Sequence, residues 1–113
     1  MNNIREYYRF RLAPKQITVI PATNNEDDIE YAKEINQTLF EYEFRSKIDL
    51  REERLSKKVR DAQTSKSKIQ VILGEKERIT NTISYRLYGK QETTNISLEE
   101  FLLKLIKMRN NYE

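Results

Sequence analysis

The stretch IQVILGEKERITNTISYRLY, residues 69–88, decides the fold class of this 113-residue chain. It opens with an apolar run, IQVIL, of the kind that lies buried on both faces of a sheet, and Gly74 ends this run. Residues 82–88 then alternate between apolar and polar side chains, which predicts a second strand. Its core-facing side chains are expected to be Ile83, Tyr85 and Leu87. The segment between the two strands, GEKERITN, predicts a short turn, so the second strand runs back antiparallel to the first.

Upstream of this stretch, strands and helices alternate. Residues 16–21 predict a first strand buried on both faces, and residues 42–48 predict the next one. Between them, residues 24–25 offer an asparagine cap, and the acids at 26–28 suit the positive end of a helix dipole. Apolar stripes at helical spacing are formed by Ile29, Ala32, Ile35 and Leu39, and then by Leu55, Val59 and Ala62. Strands that alternate with helices in this way pair in parallel through right-handed crossovers.

Downstream of the stretch, the chain ends in a helix. Ser97 and Glu100 form a capping box, and the apolar side chains after it recur at helical spacing. That apolar face comprises Leu98, Phe101, Leu102, Leu105 and Ile106. A short fifth strand is expected near residues 92–95, so the predicted order is βαβαβ, two further strands and a last helix. We expect residues 1–11 to be a lead-in and residues 12–113 to be one domain.

Composition excludes several function classes. The chain contains no cysteine and no histidine, which excludes disulfides, thiolate or imidazole metal sites and Cys or His catalytic dyads. Its net charge of +3 is too small to indicate a nucleic-acid partner by itself. The sequence has no apolar stretch of the roughly 20 residues that span a bilayer, and its amino terminus is polar. We therefore expect a soluble, cytoplasmic protein that does not bind membranes.

The loop after the first strand argues against a nucleotide or phosphate site. A phosphate cradle needs glycines so that backbone N–H groups can approach the anion, whereas this loop is PATNNEDD, without glycine and with three acids. Asp27 and Asp28 also follow the strand too late for a receiver-type acidic pocket, and helix capping explains them better. Nucleophile and base pairs are missing too, so the sequence predicts no active site of its own.

Basic residues concentrate where the parallel strands are expected to end. An open sheet binds ligands beyond those carboxyl ends, here near residues 23–24, 49–52 and 74–77. The basic segment comprises Arg51, Arg54, Lys57, Lys58, Arg60, Lys66 and Lys68, followed by Lys76, Arg78 and Arg86. A solvated helix face is the alternative explanation. However, Arg86 lies on the non-core face of its strand beside Tyr88, and an arginine next to an aromatic ring suits single-stranded RNA loops.

Five segments in order resemble one known family. They are LAP at 12–14 with the strand up to Pro21, DLREERLSKKVRDA at 49–62, GEKE at 74–77, ISYR at 83–86 and ISLEEF at 96–101. Together they resemble the anticodon-binding domain of class II aminoacyl-tRNA synthetases in its threonyl form, over residues 11–107. The resemblance implies a three-layer α/β/α fold with a mixed, mostly parallel five-stranded sheet, one antiparallel strand and three main helices.

The resemblance also implies which residues meet the anticodon loop. In this sequence Arg60, Glu77 and Arg86 occupy positions where family members meet the loop or its supporting network, and Arg51, Glu52 and Lys66 complete the expected RNA-binding set. Threonine anticodons share a central G followed by U. A carboxylate such as that of Glu77 can accept from the N1–H and N2–H groups of guanine, and an arginine can donate to carbonyl or phosphate oxygens.

Three departures from the family pattern affect base readout more than backbone binding. Glu52 stands where the family has asparagine, and a carboxylate only accepts hydrogen bonds. Ser56 replaces a glycine. Lys66 keeps a positive charge ahead of the third strand but loses the bidentate geometry of arginine, and the proline and aromatic expected after it are Lys68 and Ile69.

As a partner, the resemblance implies the anticodon loop of threonine tRNA. A separate catalytic domain, in a parent protein that is a homodimer, would hold ATP, Mg²⁺ and Zn²⁺ and charge the tRNA; no cofactor is expected in this domain. Two alternatives stay open. One is a standalone paralogue that acts as an accessory or dimerisation module, and the other is the equivalent domain of a prolyl or glycyl synthetase.

Overall fold

The computed structural model describes residues 17–65 and 67–111. The predicted lead-in at 1–11, residue Gln16 of the first predicted strand and Lys66 lie outside this description. The elements are β1 (Ile17–Pro21), α1 (Glu26–Glu41), β2 (Ser46–Ile48), α2 (Leu55–Thr64), β3 (Ile69–Leu73), α3 (Glu75–Thr80), β4 (Thr82–Leu87), β5 (Thr94–Ser97) and α4 (Leu98–Asn111).

The five strands form one mixed sheet in the order β2-β1-β3-β4-β5. β1 pairs in parallel with both β2 and β3, whereas β4 is antiparallel to β3 and to β5. Only β4 therefore runs against the other four strands, which confirms the predicted sheet. The short connection from residue 74 to residue 81 is the reason, because so few residues cannot cross over to a parallel strand.

The first face of the sheet holds the larger core. Alternate residues of β1, β3 and β4 point to this face, where α1 and α4 cover them. On α4, Phe101 is 1% exposed and its ring lies 5.2 Å from that of Tyr85 on β4, centroid to centroid. Burial of such an aromatic side chain contributes about 1.5–3 kcal/mol, and Leu102 and Leu105 of α4 are buried in the same core.

The second face is covered over only part of its width. Val59 and Ala62 of α2 pack on Ile20 of β1 and Ile72 of β3, in a smaller core that completes the three predicted layers. Because Ile83 and Tyr85 point to the first face, the alternate side chains of β4 point to the second face, beside α2. Among the described helices, α2 packs on β1 and β3, and the short α3 contacts β4 near Ser84, so the second face is covered only in part.

The predicted second strand is too long. Residues 42–45 do not pair, and β2 is only Ser46–Ile48. α1 instead closes with the N–H groups of Tyr42 and Glu43 donating to the carbonyls of Thr38 and Phe40, at 3.1 and 2.9 Å, and Glu43 has a φ of 66°. The alternation that indicated a strand here was the end of a helix followed by a tight turn.

The predicted turn at 74–81 is wrong in another way, because within the described residues it contains a short helix, α3, beside the three main helices that were predicted. Oε1 of Glu77 accepts a hydrogen bond from the N–H of Gly74 at 2.8 Å, which fixes the first turn. Asn81 ends the helix in the left-handed region with φ 55°. With only six residues, α3 has no apolar periodicity by which the sequence could show it.

Smaller differences concern single residues. β5 begins two residues later than expected, and its pairing joins Tyr85 to Thr94. Leu87, expected to face the core, is 37% exposed at the end of β4. Asp28 does more than favour the helix dipole, because it is 4% exposed and accepts a hydrogen bond from Thr23 Oγ1 at 2.7 Å. The caps were predicted correctly, with Asn25 on α1 and Ser97 before α4.

None of the described helices is long and apolar enough to cross a membrane.

Candidate nucleic-acid interface

The crevice between the carboxyl ends of β1 and β3 is filled by the protein itself. The N–H of Ala22 donates to the carbonyl of Leu73 at 2.8 Å, and a Cβ on Gly74 would lie 3.0 Å from the Cβ of Ala22. Arg78 closes the remaining space from α3, with its Nε 3.5 Å from the carboxylate of Asp28. At the sheet edge where the sequence predicted a ligand, these contacts therefore bring β1 and β3 together and place Arg78 beside Asp28.

Arg51, after β2, is engaged within the protein. Its guanidinium makes two hydrogen bonds to the carboxylate of Asp49, at 3.0 and 2.8 Å, and a salt bridge of 3.1 Å to Asp61 on α2. Hydrogen bonding by Arg51 lowers the pKa of Asp49, while Lys57 and then Arg51 lower the pKa of Asp61. Hydrogen bonds to the two carboxylates raise the pKa of Arg51 itself. Arg51 thus fastens the loop after β2 to α2.

Lys58 is not part of the exposed basic surface that the sequence indicated. It is 1% exposed, and its Nζ donates to the carbonyl oxygen of Asp49 at 3.3 Å. Its helical position places it on the inner side of α2, next to buried Val59. A buried ammonium requires such a partner, so Lys58 supports the loop from below and is not accessible to a ligand.

A groove of about 350 Å³ lies between α2 and β4 on the second face of the sheet. It is lined by Leu55, Ser56, Val59, Arg60, Gln63, Ile72 and Arg86. The floor is apolar, and the two arginines come from opposite walls, one from α2 and one from β4. Arg60 is exposed and makes no hydrogen bond or ion pair within the described residues. The groove thus offers guanidinium donors above an apolar floor.

Arg86 is half-buried at the β4 wall of this groove. One terminal nitrogen, Nη2, donates to Thr93 Oγ1 at 3.2 Å. Its Nε is shielded from solvent and has no acceptor among the described residues. Tyr88 follows two positions later, 51% exposed, and its N–H continues the ladder to the carbonyl of Lys68 at 2.8 Å. The arginine and the aromatic ring that the sequence placed together are both accessible.

Glu77 lies half-buried on α3, and both its carboxylate oxygens already accept hydrogen bonds. Oε1 accepts from the N–H of Gly74, and Oε2 accepts from Ser84 Oγ at 2.5 Å. A carboxylate has about four acceptor positions, and these two hydrogen bonds use two of them. Its charge also contributes to raising the pKa of Tyr31, after burial and Glu34.

The six predicted RNA-binding residues are therefore not equivalent. Arg60 and Arg86 line one groove, whereas Glu77 is connected to β4 through Ser84 and Arg51 is held by two carboxylates. Glu52 is exposed after β2 and makes no hydrogen bond to the described residues. The RNA contacts of all six stay predictions, Lys66 included.

The sequence did not indicate a row of polar side chains on the second face of β4 and β5. Asn95 Nδ2 donates to both Thr82 Oγ1 and Ser84 Oγ, each at 3.0 Å. Alternation along β4 could have placed Ser84 beside Arg86, but the register of β5 cannot be read from the sequence. Within the described residues no group of three acidic side chains could hold a metal ion.

Residues 16–108 match the family described as "Anticodon binding domain". The chain belongs to the anticodon-binding domain family. This match covers the whole sheet and nearly all of α4, so the resemblance in the sequence is confirmed. The domain is 39% identical over 106 residues to a threonine–tRNA ligase of Mycoplasmopsis pulmonis, a match over 94% of this chain. It is 41% identical over 92 residues, or 80% of the chain, to the same enzyme of Ureaplasma parvum.

Solved structures show the same fold. The RNA-binding domain of threonyl-tRNA synthetase from Cryptosporidium parvum superposes with a TM-score of 0.80 at 24% identity, over 88% of this chain and 24% of that one. Prolyl-tRNA synthetase from the same organism gives a TM-score of 0.77 at 19% identity, over 88% and 22%. The domain spans 18% and 16% of the lengths of the two bacterial ligases.

Proposed function

We propose that this domain is the tRNA-binding part of a threonine–tRNA ligase and holds the anticodon stem-loop of threonine tRNA at the groove between α2 and β4. The observation that supports it most is the pair of guanidinium groups, from Arg60 and Arg86, on opposite walls of one groove in a chain 39% identical to threonine–tRNA ligases. Arginines around an apolar floor suit phosphates and unstacked bases together.

The chemistry of the groove fits a single-stranded loop better than a duplex. Bases that leave the stack can lie on Tyr88 or on the guanidinium planes, while Arg86 donates to carbonyl oxygens. Glu77 is the acceptor for the N1–H and N2–H groups of the central guanine. Glu52 can accept but not donate, so a base contact there requires a donor on the RNA.

The rest of the reaction belongs to the parent protein. Since the domain spans about a sixth of its relatives' length, we propose that a separate catalytic domain activates threonine with ATP and Mg²⁺, contains Zn²⁺ and charges the tRNA in a cytoplasmic homodimer. In this arrangement the domain supplies affinity and selects the tRNA, and no catalytic step takes place in it.

Binding of synthetic anticodon stem-loops to the 113-residue chain tests this proposal. We expect the threonine stem-loop to bind more tightly than proline or glycine stem-loops at low salt. Affinity should fall steeply with salt, with a log–log slope of about 0.7 for each phosphate contact to a single strand. Arg86→Ala should weaken the threonine stem-loop by about 1–3 kcal/mol more than the others.

Lys33→Ala is the matched control, since Lys33 is an exposed cation on α1, which covers the opposite face of the sheet. It should leave all three affinities nearly unchanged. Equal affinity for the three stem-loops would remove the threonine assignment. Tighter binding of the proline stem-loop would assign the domain to a prolyl-tRNA synthetase, a class of enzyme with a solved structure that shares this fold. Self-association without RNA binding would support the accessory or dimerisation module instead.

A further inference from the structure

Two exposed residues, Thr93 just before β5 and Asn95 within it, are connected by hydrogen bonds to two predicted base readers, Thr93 directly to Arg86 and Asn95 through Ser84 to Glu77. Thr93 Oγ1 accepts from Nη2 of Arg86 at 3.2 Å. Asn95 reaches Glu77 through one intermediate, Ser84, with separations of 3.0 Å and 2.5 Å. We call Thr93 and Asn95 the β5 polar pair.

The direction of each hydrogen bond in the Asn95 chain follows from chemistry. An ionised carboxylate can only accept, so the single hydroxyl hydrogen of Ser84 must point to Oε2 of Glu77. Ser84 Oγ can then only accept from Asn95, whose Nδ2 must be the atom that faces it. The carboxylate of Glu77 therefore fixes the direction of the Ser84 hydroxyl hydrogen. The amide of Asn95 then donates the hydrogen bond that the Ser84 oxygen accepts.

A second branch fixes the same amide independently. Thr80 Oγ1 donates its hydrogen to the carbonyl of Lys76 at 2.8 Å, so it must accept from Thr82 Oγ1, 2.7 Å away. Thr82 in turn accepts the other hydrogen of the Asn95 amide, at 3.0 Å. Both donors of Asn95 are used, and its orientation is set by two side chains of β4, Thr82 and Ser84.

These hydrogen bonds contribute little to folding. Thr93 and Asn95 are both exposed, so water can replace either of them as a partner; the part-buried bond from Ser84 to Glu77, which joins β4 to α3, is separate from this. What Thr93 and Asn95 have in common is that each of them orients a predicted base reader. Among the described residues, Thr93 is the one hydrogen-bond partner of the Arg86 guanidinium, and Ser84 is the one donor to the second carboxylate oxygen of Glu77.

We propose that the β5 polar pair positions the anticodon readers: Thr93 orients Arg86, and Asn95 orients Glu77 through Ser84. The inference rests on the proposed function. If Arg86 and Glu77 are already oriented, their side chains lose less conformational entropy when a base binds. This advantage applies only to a base that fits their orientation. Thr93 and Asn95 therefore affect discrimination between bases more than total affinity.

The measured quantity is a discrimination ratio: the dissociation constant for the threonine stem-loop with its central G replaced by A, divided by that for the threonine stem-loop itself. Thr93→Val keeps the shape but removes the acceptor, and should lower this ratio about threefold to tenfold, the equivalent of one hydrogen bond. Thr93→Ser retains the hydroxyl and should restore the ratio. A variant that only destabilised the fold would weaken both complexes equally and leave the ratio unchanged.

Asn95 is tested with an isosteric pair. Asn95→Ala removes the donors and should lower the ratio several-fold. Asn95→Asp keeps the shape but places a second carboxylate beside Ser84, whose one hydrogen cannot serve both it and Glu77, so its loss should exceed that of alanine. A smaller loss for aspartate than for alanine would show that shape matters and not the donor, which overturns the Asn95 part.

Thr38→Val is the control, because it removes a threonine hydroxyl that is bonded only within α1, to the carbonyl of Glu34. Its ratio should equal that of the wild type. If Arg86→Ala lowers the ratio but Thr93→Val and Asn95→Asp do not, the inference is wrong and the proposed function stands. A wild-type chain that binds neither stem-loop at low salt overturns both.

Discussion

The hydrogen bond between Thr18 and Ser67 offers a test of how the second face of the sheet is built. Both side chains are buried, with exposed fractions of 1% and 0%. Thr18 Oγ1 donates to Ser67 Oγ at 2.8 Å, and Ser67 Oγ uses its own hydrogen on the carbonyl of Ile69 at 3.1 Å. Ser67 is thus the acceptor for Thr18, and it holds the chain where β3 begins.

The two single substitutions remove the same bond at different cost. Ser67→Ala leaves the buried hydroxyl of Thr18 without an acceptor, and we expect a loss of about 1–3 kcal/mol. Thr18→Val removes the hydrogen bond but leaves no donor unpaired, and its additional buried methyl contributes about 0.8 kcal/mol. The net effect of Thr18→Val is expected to be within about 1 kcal/mol of zero.

Urea unfolding of the wild type, both single variants and the double variant gives the four free energies of a double-mutant cycle. With a slope of about 2 kcal/mol/M, a 2 kcal/mol loss moves the midpoint by about 1 M. The double variant should be more stable than the sum of the single effects predicts, by about 1 kcal/mol or more. The reason is that Thr18→Val removes the hydroxyl donor that Ser67→Ala alone would leave without an acceptor.

Two results would refute this reasoning. Equal destabilisation by Thr18→Val and Ser67→Ala would mean that the orphaned donor has no special cost. Additive effects in the double variant would mean that the two hydroxyls do not depend on each other. Ser56→Ala, an exposed serine on α2, is the matched control and should move the midpoint by less than about 0.25 M, since surface changes are usually within 0.5 kcal/mol.

Acid sensitivity should depend on Arg51. Since the pKa values of Asp49 and Asp61 are lowered in the fold, their stabilisation is present above the unfolded carboxyl pKa of about 3.9 and is lost as pH falls through the folded values. The urea midpoint of Arg51→Gln should therefore fall less between pH 7 and pH 3 than that of the wild type, and an identical fall would contradict the pairing. Because Asn81 has φ 55°, Asn81→Gly should preserve or raise the stability of the fold, whereas Asn81→Ala should lower it by about 1 kcal/mol. Thermal unfolding in which the alanine variant is more stable than the glycine variant would contradict this. Glu77→Gln keeps an acceptor for Gly74 but removes the one for Ser84, so it should destabilise by about 1 kcal/mol and weaken guanine preference in stem-loop binding; unchanged preference would exclude Glu77 as a base reader.

Much of the fold followed from local patterns in the sequence. Period-two alternation over 82–87 and helical spacing after Ser97 correspond to β4 and α4, because one buried face imposes its period on the chain. The antiparallel turn of β4 followed from the shortness of its connection. α3 did not follow, since a six-residue helix capped by its own Glu77 shows no periodicity. The extent of β2 was wrong because an αL turn at Glu43 can follow a helix whose sequence still alternates.

The candidate site followed from the sequence only in part. The resemblance named Arg60, Glu77 and Arg86, and charge density alone gave ten basic positions of equal weight. Charge density could not distinguish the exposed Arg60 from Lys58, which lies two positions earlier on α2 and is buried. Helix phase suggests such a difference, but the partner that holds the Lys58 ammonium is a backbone carbonyl nine residues away.

The sequence by itself determined the class of fold, the family and the absence of cysteine and histidine chemistry, because these depend on residue type and on spacing along the chain. Only the tertiary structure decided which cations are available. Arg51 is held by Asp49 and Asp61, whereas Arg60 and Arg86 meet across one groove and Thr93 holds the latter. The physical reason is that a charge is free or occupied according to neighbours that folding brings together from distant positions, and strand register fixes which neighbours these are.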